Sequence, residues 1–375
     1  MLIRNKYNCC GCTACASICK HHAIEMTPDD LGFLYPQVDY DKCVNCGLCE
    51  SVCSFNDNYD KSLNLETPLA FAARHKNVDE IMKSRSGAVF AAISDFVLEE
   101  GGVVYGAGFK DHFQVSHSRA TTKTERDEFR GSKYVQSNLS GILSMVKEDL
   151  QNGLLVLFSG TPCQTSGVNA FVGHSLRENL ILLDIVCHGV PSPYIWRDYL
   201  DYIEKKQGAK LSYVNFRDKE LYGWKAHKET FGFENEKGRK CFNSLFYSHV
   251  MFRHSCEKCP FANFTRPSDI TLGDYWGWER IDTSFAEDDK GCSLILINTR
   301  RGKILFEKIK DDIDFLPTTL EKCSQPNLLY PTKVHPLRDC FEKAYVKYGF
   351  QRTMVKYGYL GWRLYIKNAI KKIIR

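Results

Sequence analysis

A chain of 375 residues that is 43% hydrophobic and 25% charged can bury a sizeable core, which excludes intrinsic disorder and suggests about two to three domains. Its seventeen cysteines would mark a disulfide scaffold in a short secreted chain, but the first residues form no apolar signal core and no run approaches the roughly 18 apolar residues that cross a bilayer. A reducing, cytoplasmic setting is therefore expected. The net charge of +5 is confined to one end: residues 343–375 carry nine Lys and Arg and no Asp or Glu, and without them 41 bases face 45 acids, or −4. Charge so confined, with no accompanying motif, argues against nucleic-acid binding.

The first element is a doubled cysteine run. Cys9, Cys12, Cys15 and Cys19 are spaced by two, two and three residues, and Cys43, Cys46, Cys49 and Cys53 repeat the spacing 34 residues later. Three thiolates on one tight loop can cap three irons of a cube while the fourth arrives from elsewhere, and the stretch resembles a bacterial two-cluster ferredoxin. On that pattern Cys9, Cys12, Cys15 and Cys53 hold one 4Fe-4S cluster, and Cys43, Cys46, Cys49 and Cys19 hold the other. The proline that usually follows the fourth cysteine is replaced by Lys20 and Ser54. Paired zinc sites would use separated Cys-x2-Cys pairs and no such doubled run. Cys10 reads as a small buried filler.

Between the runs, residues 23–26 and 35–38 read as strands around a turn at 28–30, and the polar stretch 56–68 reads as a linker. Apolar residues at helical spacing over 88–98, stopped by Gly101-Gly102, predict a helix that feeds a strand at 103–105. Ser84-Arg85-Ser86-Gly87 precedes that helix, either as an anion-binding turn or as an ordinary cap. Gly131-Ser132-Lys133-Tyr134 is a second polar loop with a flexible glycine, an ammonium group and a ring. Two buried-strand runs follow, 154–158 leading into Ser159-Gly160-Thr161-Pro162-Cys163 and 180–186 leading into Cys187-His188-Gly189. Strand, helix, strand predicts a parallel pair with both cysteines beyond the carboxyl ends, where open α/β sheets bind ligands.

Further strands are expected at 213–216 and 230–233, and Cys256-Glu257-Lys258-Cys259 then puts two thiolates on one turn. With Cys163 and Cys187 they are enough for a third cluster, although by spacing they equally make half of a zinc site. Cys241, Cys292, Cys323 and Cys340 lack partners at useful spacing and read as structural. Residues 269–274 and 293–298 read as strands and 303–309 as a helix, with Asp274 either orienting a cofactor or ending a turn. In the tail, Val355, Tyr359, Trp362, Ile366, Ala369 and Ile373 share one helical face, opposite Lys356, Arg363, Lys367 and Lys371. Such a face either packs on protein or lies on an anionic membrane from the cytoplasmic side.

The motifs Gly131-Ser132-Lys133-Tyr134, Ser159-Gly160-Thr161-Pro162-Cys163-Gln164, Cys187-His188-Gly189-Val190-Pro191, Cys256-x2-Cys259 and Asp269-Ile270-Thr271-Leu272-Gly273-Asp274 occur in an order that resembles the coenzyme F(420) hydrogenase/dehydrogenase beta-subunit family over roughly residues 68–315. The resemblance implies an FAD-containing iron–sulfur oxidoreductase in which Cys163, Cys187, Cys256 and Cys259 hold the cluster nearest the flavin. It places Ser86, Gly87, Gly131, Ser132, Lys133, Tyr134, Gly160, Thr161 and Asp274 in the cofactor site, with Ser86-Gly87-Ala88 standing where many relatives have Ser-Gly-Gly. The expected architecture is α/β and α+β. It comprises a ferredoxin-like two-cluster domain (1–60), a mixed α/β flavin and iron–sulfur domain (68–335) and a C-terminal amphipathic helical tail (336–375). The expected role is to pass electrons between the ferredoxin clusters, FAD and a two-electron partner, coenzyme F(420) or another acceptor. The alternatives are a non-catalytic electron-transfer subunit and a zinc-stabilised interaction protein. The implied partner is a redox protein or a small-molecule acceptor.

Overall fold

The computed structural model describes residues 5–53, 55, 61–234, 237–238, 242–361 and 363–364. Its first strands, β1 (Ile24–Pro28) and β2 (Leu34–Val38), form an antiparallel hairpin between the two cysteine loops, as the alternating stretch around the Pro28 turn predicts. The central sheet takes β3 (Asn64–His75), β4 (Val103–Lys110), β5 (Gln114–Ala120), β6 (Val156–Gly160) and β7 (Leu180–Ile185). A small antiparallel sheet follows, made of β8 (Leu211–Asn215), β9 (Thr230–Phe233) and β10 (Lys237–Gly238). The chain then returns to the central sheet with β11 (Ile270–Asp274), β12 (Ser293–Thr299) and β13 (Ile313–Thr318).

The eight strands lie in the order β13-β3-β12-β11-β7-β6-β4-β5. Pairs β4/β6, β6/β7 and β7/β11 are parallel, while β12 runs antiparallel to both β11 and β3. Strands β3, β11, β7, β6 and β4 therefore point the same way and end at one edge. Alternation along β7 divides the layers: Ile181 and Leu183 face a core with Val89, Ile93, Val97, Leu305 and Phe306, whereas Leu180 and Leu182 face one with Leu143, Val146, Val168 and Phe171. The helices Val89–Glu99 and Arg300–Ile309 thus cover one face, and Ile142–Gln151 and Pro162–Val172 the other. Burial on both faces is why these strands read as continuous apolar runs. Two buried ion pairs lock the middle strands. Asp269 accepts both bonds of one Arg177 nitrogen (2.9 and 2.8 Å), and Asp184 accepts Arg266 at 3.0 Å.

Several expectations shift. Residues 64–68 are strand and not linker, because β3 begins at Asn64; Pro68 is tolerated since it falls at the irregular stretch of the β12 pairing and before the β13 pairing begins. Ser159 and Gly160 belong to β6 and not to the loop after it. The ferredoxin hairpin is embedded in the body: Leu31 and Phe33, both 0% exposed, share a core with Trp196, Phe216, Phe231 and Phe242. The same core receives Phe341, Tyr345, Phe350 and Met354 of the helix Arg338–Lys356, and Tyr359 beyond it, so this part of the tail is a packing element. Trp362, Ile366, Ala369 and Ile373 lie outside the described residues. Among the described residues no helix is long and apolar enough to cross a membrane.

Candidate metal centre

In the first cysteine loop, Gly11 (φ 72°) and Thr13 (φ 66°) take left-handed backbone, which turns the chain tightly before the helix Ala14–Ile18. A Cβ on Gly11 would lie 2.8 Å from a guanidinium nitrogen of Arg253, so glycine is required for this close approach. Burial, then the charges of Cys12, Cys9 and Cys53, push the Cys15 thiol up. In the second loop Cys43 and Cys46 act in the same way on Cys49. Cys19, assigned to that second set, accepts the Ala23 N–H at 3.4 Å.

The second gathering draws on three separate loops. Cys163 sits in the first turn of Pro162–Val172, a helix capped by Thr161 and Gln164, with the Thr161 N–H donating to Gln164 Oε1 at 2.9 Å. Cys187 follows soon after β7, and Cys256 and Cys259 lie on and just after the 3-10 turn His254–Lys258. All four line one cavity with Cys10 and Arg266. Burial pushes the Cys256 and Cys259 thiols up to about 12, and the charges of neighbouring cysteines push the same way. Cys187 is raised by burial and by Cys256 and Cys163. Cys163 is the exception: hydrogen bonds from Cys10 and Thr161 hold its thiol down at about 7. Ionised together around one cavity, the four thiolates would repel one another, and a multiply charged cation or cluster would offset that repulsion. An all-sulfur donor set suits iron–sulfur or zinc.

The same sheet edge carries a cluster of cationic and aromatic side chains. Asp274, the last residue of β11, accepts Arg217 Nη1 at 2.5 Å and Trp224 Nε1 at 2.9 Å. Burial alone would raise its carboxyl, but Arg217 and Arg85 hold it below the ordinary range. Trp224 stacks on Trp276 with centroids 4.8 Å apart, and His227 also stacks on Trp276, at 5.6 Å. Arg217 donates to His227 Nε2 at 3.1 Å, which fixes His227 as the neutral Nδ1–H tautomer; burial and Arg217 lower it to about 4. Arg85 donates to Trp224 O, while its buried Nε and Nη1 have no protein partner. Asp274 thus orients charge at the edge and does not merely end a turn.

The predicted cofactor residues fall at or near this edge in different ways. Tyr134 stacks on Phe246 at 4.1 Å. Lys133 turns its ammonium to Glu128 O (2.8 Å) and Arg130 O (2.7 Å), and burial lowers it to about 7. Gly131 has open space around it, and Ser132 is half-buried on the same loop. Gly160 and Thr161 lead into Cys163. Ser86 Oγ donates to Cys292 O at 2.6 Å and the Gly87 N–H to Ser293 Oγ at 2.9 Å, which ties this turn to β12. Arg217, Trp224, His227 and Trp276 escape sequence reasoning: they lie in irregular stretches with no spacing signal, and only the fold brings them to Asp274. Arg253 escapes it too, since in sequence it is only a neighbour of Cys256.

A family model described as the C terminus of the coenzyme F420 hydrogenase/dehydrogenase beta subunit matches residues 154–320, and one described as 4Fe-4S dicluster domain matches residues 8–56. The chain is similar to the F subunit of F(420)H(2) dehydrogenase from Methanosarcina mazei, 20% identical over 319 residues that cover 82% of this chain and 84% of the relative. Among solved structures it is similar to a chain of the F420-reducing NiFe hydrogenase complex from Methanosarcina barkeri, with a TM-score of 0.47, 19% identity and coverage of 79% of this chain and 92% of that one.

Proposed function

The chain belongs to the coenzyme F(420) hydrogenase/dehydrogenase beta-subunit family and carries a 4Fe-4S dicluster module at its N-terminus, and from that premise we propose that it is an iron–sulfur oxidoreductase subunit with three cluster sites and a flavin site. The observation that carries this reading is the convergence of Cys163, Cys187, Cys256 and Cys259 on a cavity that also contains Cys10 of the first ferredoxin loop. Donor chemistry alone admits zinc, but a structural zinc site would gain nothing from abutting a ferredoxin loop, whereas an electron carrier requires that proximity.

When bound, the clusters supply one-electron storage and a flavin supplies the exchange of one-electron for two-electron chemistry. The chain's own residues then have definite tasks. Cys163, Cys187, Cys256 and Cys259 would hold the inner cluster, and the helix Pro162–Val172 fixes the first of them. Arg266 braces the cavity wall through bonds to Asp184, Phe261 O, Ile185 O and Thr271, which take four of its five N–H donors. Arg85 has two unpartnered buried nitrogens that fit an anionic group such as a flavin phosphate. Lys133, Gly131, Ser132, Gly160 and Thr161 flank that space. Asp274 holds Arg217 in place, so its role toward the cofactor is indirect.

The relative from Methanosarcina mazei, itself named as one subunit of a dehydrogenase, favours a chain that works within a larger assembly, with electrons reaching it from a partner protein. Anaerobic isolation followed by iron, sulfide, zinc and flavin analysis tests the reading. It predicts about twelve irons and one flavin per chain. Zinc with no flavin in well-folded protein would overturn it. Reduction of two-electron acceptors, deazaflavins among them, by the isolated chain then separates an autonomous enzyme from a subunit that needs its partner.

A further inference from the structure

Arg253 is 0% exposed, and among the described residues no carboxylate pairs with it. Its donors go instead to Cys9 O at 2.7 Å, Leu34 O at 2.8 Å, Gln136 Oε1 at 2.9 Å and Cys9 Sγ at 3.6 Å. The guanidinium also lies 4.2 Å from the centre of the Tyr35 ring. Neutral oxygens solvate such a cation without neutralising it, and an unpaired charge at this depth is strongly disfavoured. The group in this shell that becomes anionic on binding iron is Cys9 Sγ. The backbone of Arg253 meanwhile belongs to the inner set: its N–H donates to Val190 O at 3.0 Å, and its carbonyl accepts the Cys256 N–H at 3.1 Å. Gln136 repeats the link, with its backbone N–H on Pro191 O at 3.1 Å and its Nε2 on Cys10 O at 2.8 Å. The second cysteine loop is built differently. Cys46 is exposed, and among the described residues no arginine or lysine donates to Cys43, Cys46, Cys49 or Cys19.

Resting on the iron–sulfur assignment of the two ferredoxin loops, we propose that Arg253 is a positioning residue for electron transfer. Its guanidinium clamps the first cysteine loop to the inner one and, through Cys9 Sγ, holds the first ferredoxin centre at a higher reduction potential than the second. Each electron that a cluster takes up makes it one charge more negative. A cation fixed at a ligand sulfur therefore favours the reduced form, as does a hydrogen bond to that sulfur. Burial alone would act the other way on the first centre, since a dry site disfavours added charge, and Arg253 offsets it. Electrons delivered by a partner protein to the exposed second centre then run inward. In that step the second centre loses one electron and the first gains it; no bond forms or breaks, and no proton moves.

The test uses the full chain, isolated without oxygen, as wild type, Arg253→Lys, Arg253→Met and Cys46→Ser. Iron is counted, and midpoint potentials are followed by electron paramagnetic resonance during redox titration. The signal that Cys46→Ser displaces or removes identifies the second centre. In wild type the first centre should have the higher midpoint of the ferredoxin pair. Arg253→Met keeps the stem and loses the charge, so it should weaken reduction of the first centre at least about tenfold, or about 59 mV for one electron. The second centre should not move, and Arg253→Lys, which keeps the charge, should lie between Arg253→Met and wild type. A wild-type first centre at or below the second would overturn the proposal, and this reading needs no Arg253 variant to fold. Unmoved potentials in folded Arg253→Met, or an equal fall in both ferredoxin centres, would overturn it too. If wild type carries only about eight irons, the inner-cluster assignment falls while the proposal for Arg253 stands.

Discussion

At Asp274 one buried carboxylate is held by Arg217 and feels the charge of Arg85. Replacing Asp274 by Ala leaves Arg217 buried and uncompensated, which is expected to cost about 3–5 kcal/mol in denaturant unfolding. A loss below about 1 kcal/mol would mean that solvent reaches this pair. His117 gives a pH signature. Burial lowers its imidazole to about 4, while its Nε2 contacts Ser159 O at 2.9 Å. A depressed folded value means that the unfolded chain binds the proton first. The stabilisation is therefore complete above about pH 6.5 and falls away as pH drops toward 4, by about 3 kcal/mol in all. Proton magnetic resonance of the His117 ring should show no titration above pH 5, and His117→Phe should flatten the acid limb of the stability profile. At this scale the ferredoxin cysteines are legible because spacing alone defines them. Arg217 is not, since nothing local distinguishes an arginine that is buried against a carboxylate from one on the surface.

Among the elements, the turn after the helix Val78–Lys83 shows how a motif and its physical reason can differ. Ser86-Gly87 reads in sequence as a flavin turn, yet a Cβ on Gly87 would lie 2.3 Å from Ala73 O and 2.8 Å from Ser293 N. The glycine is required where the turn crosses the ends of β3 and β12. Both obstructing atoms are backbone, so Gly87→Ala must displace a strand, and a loss of at least about 2 kcal/mol is expected in thermal or denaturant unfolding. A neutral substitution would show that the turn is free to move. Strands β6, β7 and β12 are legible because each contains a continuous apolar run with its own punctuation, and β11 because Ile270 and Leu272 alternate with polar residues before Gly273. The start of β3 is hidden because Asn64, Glu66, Thr67 and Pro68 carry no apolar alternation; the pairing of Asn64 with Thr299, across an irregular register, extends the strand to this point.

On the scale of the whole molecule, the cysteine spacing suggests a separable module and the fold makes it part of the body. Phe33 and Leu31 complete a core that the helices Pro193–Gln207 and Arg338–Lys356 also share, and Arg253 reaches back to Cys9 and Leu34. Phe33→Ala should therefore cost about 3–5 kcal/mol and lower a single common unfolding transition. A separate early transition confined to the cluster signals would instead mark an independent ferredoxin domain. Such interlocking is invisible in sequence, because Phe33 and Trp196 are far apart in the chain and share no pattern.

The central claim is that three separate loops close on one iron–sulfur site, and the double substitution Cys256→Ser with Cys259→Ser tests it most directly. Iron and sulfide are measured in the full chain isolated without oxygen, beside wild type. The account predicts a fall from about twelve irons to about eight, with the ferredoxin signals retained. Retention of all the iron by the double variant, or a wild type that carries zinc in place of the third cluster, would contradict it.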